Sequence, residues 1–138
     1  MARTRFVAEV LTPEGQVFNE EIEMLSTRTT EGSIGLLANH EPLLARLEPT
    51  ELRLYRSDTE VVRYAQGEGY VQMAENRALV LVEEAIDPAL LNVADLQDRV
   101  AAARHALEAA PAGSEEAARA ATDLRRWEAF LAIASGSR

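Results

Sequence analysis

Catalysis in a chain of 138 residues needs a nucleophile, a base or a cluster of metal ligands, and this sequence offers few of them. There is no cysteine, which removes thiolate nucleophiles, thiolate metal sites and disulfides together. Two histidines are present. His105 has Glu108 at i+3, a spacing that puts both on one helix face. No third ligand accompanies them, and the pair reads as a solvated helix face rather than a metal site. His40 lies in Asn39-His40-Glu41-Pro42, where it reads as a loop-tip contact or a hydrogen-bonded structural residue before it reads as a titrating switch. Glu83 and Glu84 are adjacent, so a strand sends them to opposite faces, which argues against a catalytic dyad. The glycine-containing loops lack the Lys and Ser/Thr of a phosphate-cradling loop. No nucleophile, base and orienting group can be assembled, and the chain reads as non-catalytic.

Charge bounds the partners. The net charge of −9 argues against nucleic-acid binding, which needs a basic footprint. All 14 basic residues are arginine. Arg119, Arg125 and Arg126 fall together near the C-terminus, either as a solvated face paired with Asp123 and Glu128 or as a dock for an acidic partner, because arginine pairs bidentately with carboxylates. No charged leader followed by an apolar core opens the chain, so no signal peptide is expected. Apolar runs such as Ala78 to Val82 are far too short to span a bilayer, so no direct membrane insertion is expected.

Two kinds of element must position these residues. Residues 1–86 hold 15 acidic and 8 basic residues, whereas 87–138 hold 8 and 6 and are dominated by alanine. The units meet near Ile86-Asp87-Pro88. In the first, Phe6, Ala8 and Val10 alternate, Thr12-Pro13-Glu14-Gly15 is a turn, and Val17 to Thr27 resumes extended character with Ile22 and Met24 on one face and Glu21 and Glu23 on the other. Leu52 and Leu54 alternate before Ser57-Asp58-Thr59, Val61 to Ala65 returns, and Tyr70 to Ala74 pairs with Ala78 to Glu83 across Glu75-Asn76-Arg77. This predicts an antiparallel β-sandwich or flattened barrel of about eight to ten strands. Without a strand-helix-strand rhythm, Gly67-Glu68-Gly69 is no dinucleotide fingerprint.

In the second unit a helix starts at Asp87-Pro88 or at Asn92-x-x-Asp95. Leu96, Val100, Ala103 and Leu107 form its apolar stripe. Pro111-Ala112-Gly113 ends it, Ser114 caps the next helix, and Ala117, Ala120, Leu124, Trp127, Leu131 and Ala134 keep a three-four spacing. The result is an antiparallel two-helix hairpin whose alanine-rich stripes bury little area, so it is expected to be marginal alone.

One stretch organises the chain: Glu31-Gly32-Ser33-Ile34-Gly35-Leu36-Leu37-Ala38-Asn39-His40-Glu41-Pro42-Leu43-Leu44. Gly32 and Gly35 bracket Ile34, Pro42 pushes Glu41 towards extended backbone, and the five aliphatic residues are expected to enter a core. The stretch resembles the Glu-Gly-x-x-Gly-Ile-Leu-x-x-His-x-Pro-Leu-Leu signature of the epsilon subunit of bacterial F-type ATP synthases, called delta in mitochondria. Glu31, Gly32, Gly35, Leu37, His40, Pro42, Leu43 and Leu44 match it. The resemblance runs the whole length. It departs at two turns, Pro49-Thr50 and Gly67-Glu68-Gly69-Tyr70.

The resemblance implies a non-catalytic central-stalk subunit of a proton-translocating ATP synthase, peripheral on the cytoplasmic face of the bacterial cell membrane. Its sandwich would bind the gamma subunit and the c-ring, with Glu31, Ser33, His40, Glu41 and Pro42 as contact candidates. Its hairpin would regulate, with Arg119, Arg125 and Arg126 meeting acidic segments of the alpha/beta catalytic hexamer. Some family members bind ATP through an Ile/Leu-Asp-x-x-Arg-Ala motif and arginines of the second helix. Here Ala94-Asp95-Leu96-Gln97-Asp98-Arg99 keeps Asp95, puts Asp98 at the arginine position and Arg99 at the alanine position, and Arg126 matches one second-helix arginine while Phe130 takes the place of the next. Asp95, Arg99 and Arg126 therefore imply weak or no ATP binding, and no cofactor or metal is expected. The alternative readings are an ATP-sensing module whose hairpin folds onto the sandwich, and a free-standing enzyme, for which the acid–base set is missing.

Overall fold

Ten strands occupy the first part of the chain: β1 (Phe6–Thr12), β2 (Gly15–Ile22), β3 (Met24–Thr29), β4 (Gly32–Leu37), β5 (Leu43–Leu47), β6 (Thr50–Tyr55), β7 (Val61–Gln66), β8 (Gly69–Ala74), β9 (Arg77–Val82) and β10 (Ala85–Ile86). The computed structural model describes residues 3–136, and its contacts separate two units, Met1–Asp87 and Pro88–Arg138. In the first unit the strand order is β10-β7-β6-β3-β5-β8-β9-β1-β2, with β4 paired to β3 beside this path. The strands wrap into a sandwich that is nearly a closed barrel. Side chains join β2, at one end of this order, to strands near the other: Arg56, just after β6, donates to both carboxylate oxygens of Glu20 on β2 at 2.7 Å, and the Tyr64 hydroxyl of β7 donates to the carbonyl of Val17 at 3.2 Å.

Alternation places the core. Phe6, Ala8 and Val10 of β1, Val71 and Met73 of β8, and Val80 and Val82 of β9 point inward, joined by Ile22, Leu25, Leu36, Leu52 and Leu54. This core is mainly aliphatic, and each fully buried Leu, Ile or Phe contributes roughly 1.5–3 kcal/mol by transfer. One pair departs from the antiparallel expectation. β1 and β9 run parallel, from Val7↔Arg77 to Leu11↔Leu81. Most of the first unit lies between them, so no tight turn dictates their relative direction.

Two local expectations are corrected. The run Val17 to Thr27 is not one strand. It bends at Glu23, which is buried, and the alternation slips there, so that Ile22 and Leu25 face the core while Met24 is only half-buried. The bend carries the chain from its β1 pairing to β4 and β6. In the β8–β9 hairpin the turn is Glu75-Asn76 alone, with Arg77 already paired to Ala74. Both turn residues have positive φ, 51° and 58°, the tight-turn geometry that matches strand twist.

The second unit has a 3-10 turn, Pro88–Leu90, and two helices, α1 (Val93–Ala109) and α2 (Glu115–Ala134). Of the two possible starts, the α-helix takes the second: Asn92 Oδ1 accepts from the Asp95 amide at 2.9 Å. Ser114 Oγ caps α2 by accepting from Ala117 N at 3.1 Å. Glu115 and Glu116 suit its positive end. Leu96, Val100 and Ala103 of the α1 stripe are buried. On α2 the buried residues are Ala120 and Phe130, and Phe130 lies off the expected stripe, edge-on to Trp127 with ring centroids 6.0 Å apart.

Candidate functional site

The 31–44 stretch is built from a turn, a strand and a loop. Thr29 Oγ1 accepts from Glu31 N at 3.1 Å and donates to the carbonyl of Gly32 at 3.0 Å, and Gly32 takes φ 128°. The Thr12-Pro13-Glu14-Gly15 turn repeats this arrangement, with Thr12 Oγ1 accepting from Glu14 N and Gly15 at φ 127°. The shared Thr-x-Glu-Gly spelling was the signal for a common turn, and glycine is required because an L side chain rarely adopts that φ. Gly35 sits in the ladder opposite Ser26 with ordinary φ and open space beside it, and nothing in the structure explains a glycine there.

The expectation that Leu36 and Leu37, and Leu43 and Leu44, all enter the core is overturned. Neighbours on a strand face opposite ways. Leu36 is buried and Leu43 half-buried, whereas Leu37 and Leu44 are 47% and 72% exposed.

Beyond β4 the loop 38–42 is pinned by a residue that sequence reading passed over. Asn76 Oδ1 accepts from Asn39 N at 2.7 Å, and its Nδ2 donates to the carbonyl of Arg5 at 3.1 Å. Asn39 has φ 63°, His40 N donates to the carbonyl of Leu37 at 3.2 Å, and His40 Nδ1 lies 2.7 Å from the carbonyl of Glu41. His40 is half-buried, and Glu41 and Pro42 are exposed. The five contact candidates are not brought together. Glu31 and Ser33 belong to the end of the sandwich that holds the turn after Thr29, and His40, Glu41 and Pro42 to the other, separated by β4, which rises about 3.4 Å per residue.

Exposed apolar residues gather on the outer face of β5, β8 and β9, beside half-buried Leu11 of β1, which sequence reading also missed. Arg46 pairs with Tyr70, Tyr70 with Leu81 and Leu81 with Leu11, so these side chains form one row across four strands. Tyr70 and Leu81 are 49% and 44% exposed. Beside them is a shallow groove of about 350 Å³ whose lining includes Leu11, Pro13, Tyr70, Leu81, Glu68 and Glu83. Behind the sheet, Thr27 Oγ1 donates to Gln66 Oε1 at 2.6 Å, and Gln66 Nε2 donates to the carbonyls of Glu48 and Gly67 at 2.9 and 3.2 Å. This fully buried amide ties the turn after β5 to the turn before β8.

In the second unit Arg119 and Arg126 are seven residues apart and share a face of α2, while Arg125 lies roughly 100° round the helix from Arg126. Arg126 pairs with Asp123 at 3.0 Å, and Glu128 pairs across to Arg104 of α1 at 3.1 Å. Asp95, Arg99 and Arg126 do converge. Arg99 donates to Asp95 at 2.9 Å, and both guanidinium groups lie over the Trp127 ring. His105 and Glu108 are exposed, and no group of three His, Cys, Asp or Glu among the described residues is placed to hold a metal ion.

Comparison with known proteins places this architecture. Residues 5–88 match the family model described as ATP synthase, Delta/Epsilon chain, beta-sandwich domain. A relative from Herpetosiphon aurantiacus named ATP synthase epsilon chain is 34% identical, over 91% of this chain and 91% of its own. One of the same name from Rhodospirillum rubrum is 32% identical, over 93% and 95%. A chain in the cryo-EM structure of the Euglena gracilis mitochondrial ATP synthase (OSCP, F1 and c-ring) superposes with a TM-score of 0.81 at 18% identity, covering 93% of this chain and 80% of that one, a likeness of fold. The family model spans all ten strands of the sandwich, and the named relatives extend through the helices, so the chain belongs to the ATP synthase delta/epsilon chain family.

Proposed function

We propose that the chain is the non-catalytic central-stalk subunit of a proton-translocating ATP synthase, in which the sandwich joins the gamma subunit to the c-ring and the helices restrain ATP hydrolysis. The observation that carries this reading is a likeness to epsilon chains extending over both units, at 91–95% of the relatives' lengths. The row of exposed Tyr70 and Leu81 with half-buried Leu11 suits a protein partner, and we assign it to gamma. Loop 38–42, with His40, Glu41 and Pro42 held by Asn76, and the opposite turn, with Glu31 and Ser33, are the candidates for the c-ring, which one end of the sandwich meets. Arg119 and Arg125 are exposed on α2 and are the candidates for the acidic surface of the alpha/beta hexamer.

No helix among the described residues is long and apolar enough to cross a membrane, and attachment to the cytoplasmic face of the cell membrane would come through these partners. ATP binding is weak or absent in this reading, because Asp95 and Asp123 already hold the arginines that would meet phosphate. Co-purification tests the proposal: tagged full-length chain should capture the gamma subunit of its own synthase in stoichiometric amount. Failure to capture gamma would refute it. A calorimetric titration with ATP should be flat at sub-millimolar nucleotide, and a saturable heat would favour the sensing module instead.

A further inference from the structure

Trp127 is the only tryptophan of the chain, and two cations share its ring. Cζ of Arg126, the preceding residue, lies 4.1 Å from the ring centroid, and Cζ of Arg99, from the other helix, lies 4.8 Å away. Two guanidinium groups over one indole repel each other, and each has a counter-charge. Asp95 accepts from Arg99 Nε at 2.9 Å, and Asp123 accepts from Arg126 Nη2 at 3.0 Å. Each carboxylate sits on its arginine's own helix, four and three residues before it, so these pairs form whether or not the helices touch. The contacts that cross from α1 to α2 among the described residues include the stacking of Arg99 on Trp127 and the Arg104–Glu128 pair. That pair has both side chains about half in water, where ion pairs hold little. The residues buried on the two helices are few: Leu96, Val100, Ala103, Ala120 and Phe130. A helical pair with so little apolar burial depends heavily on any contact that spans it.

We propose that Arg99 stacked on Trp127 is the latch of the helical pair. It sets α1 and α2 side by side through the chain's own side chains, and its release opens them. A planar guanidinium suits the task, because it stacks on an aromatic face while donating in its plane to a carboxylate. Arg99 is 51% exposed, so the contact is strong enough to bias the pair and weak enough to be released. The inference concerns the helical unit alone and stands apart from the rotor assignment.

The absence of native cysteine allows two spin labels on the full chain, at Ala94→Cys near the start of α1 and Ser135→Cys just past α2, both exposed positions. Pulsed electron–electron distance measurement should give one narrow distribution for the parent. Arg99→Gln and Trp127→Leu should each raise a longer-distance population roughly three- to tenfold. The double variant should open no further than Trp127→Leu alone, since that variant has already lost the indole's contact with Arg99. Unchanged distributions, or a double variant that opens by the product of the two singles, would overturn the proposal. A second readout needs no folded variant. In the unsubstituted chain the Arg99 side-chain protons should be displaced upfield by the indole ring current, and ordinary positions for them would also overturn it.

Discussion

Asn76→Gly should loosen the 38–42 loop while leaving the β8–β9 hairpin intact. Asn76 sits at φ 58°, a conformation that glycine adopts freely, so the turn itself loses little. What disappears is the acceptor for Asn39 N at 2.7 Å and the donor to the Arg5 carbonyl at 3.1 Å. A hydrogen bond contributes a net ~0.5–1.5 kcal/mol, and both of these are exposed, so their sum is about 1–2 kcal/mol of local stability. That corresponds to a roughly five- to thirtyfold change in a local opening equilibrium. The reporter is the His40 amide, whose own bond to the Leu37 carbonyl is untouched by the substitution. Its hydrogen exchange, followed by NMR on the full chain, should accelerate by that factor, while the amides of Val71 and Val80 in the β8–β9 ladder keep their rates. Asn76→Asp, which keeps the acceptor and loses the donor, should fall between the two. A His40 rate within about twofold of the parent would refute the claim that Asn76 holds the loop.

Other outcomes follow from the same geometry. Thr27→Val leaves Gln66 Oε1 without its donor inside the core and should cost about 1–3 kcal/mol in urea denaturation; a loss below about 0.5 kcal/mol would mean the amide finds another partner. The Arg56 guanidinium hydrogen-bonded to Glu20 holds that carboxyl below its ordinary value of 4.5. The stability it adds is therefore present above that value and lost as pH falls through the lower folded one. Glu20→Gln should flatten this part of the acid limb of a stability–pH curve, by a small amount because both groups are exposed, and an unaltered limb would count against the pair. Tyr70→Glu on the outer sheet face should leave thermal stability nearly unchanged and lower capture of gamma at least about tenfold, as loss of a central interface aromatic does; full capture would move the interface elsewhere.

The strands were legible because alternation is a direct trace of burial, as at Phe6, Ala8 and Val10. The slip at Glu23 was not, because a bend that moves a strand from one partner to others keeps the same residue types and changes only their phase. Leu37 and Leu44 were misplaced by treating aliphatic character as burial, when the strand period sends each to the face opposite its neighbour. Asn76 could be read as a turn residue, but its grip on residues 5 and 39 is a tertiary contact between segments distant in sequence. The separation of Glu31 and Ser33 from His40, Glu41 and Pro42 was written in the sequence as six strand residues between two turns. Continuity along the chain concealed it. The convergence of Arg99 and Arg126 on Trp127 needed the pairing of two helices, which stripes of small residues specify only loosely.

The decisive measurement is proton-driven ATP synthesis in membrane vesicles carrying the organism's own synthase, stripped of this subunit and then supplied with the full chain. Restored synthesis, together with proton pumping coupled to hydrolysis, is the result expected of a rotor subunit that joins gamma to the c-ring. Vesicles that synthesise equally well with and without the chain, or a chain that does not rebind, would contradict the assignment.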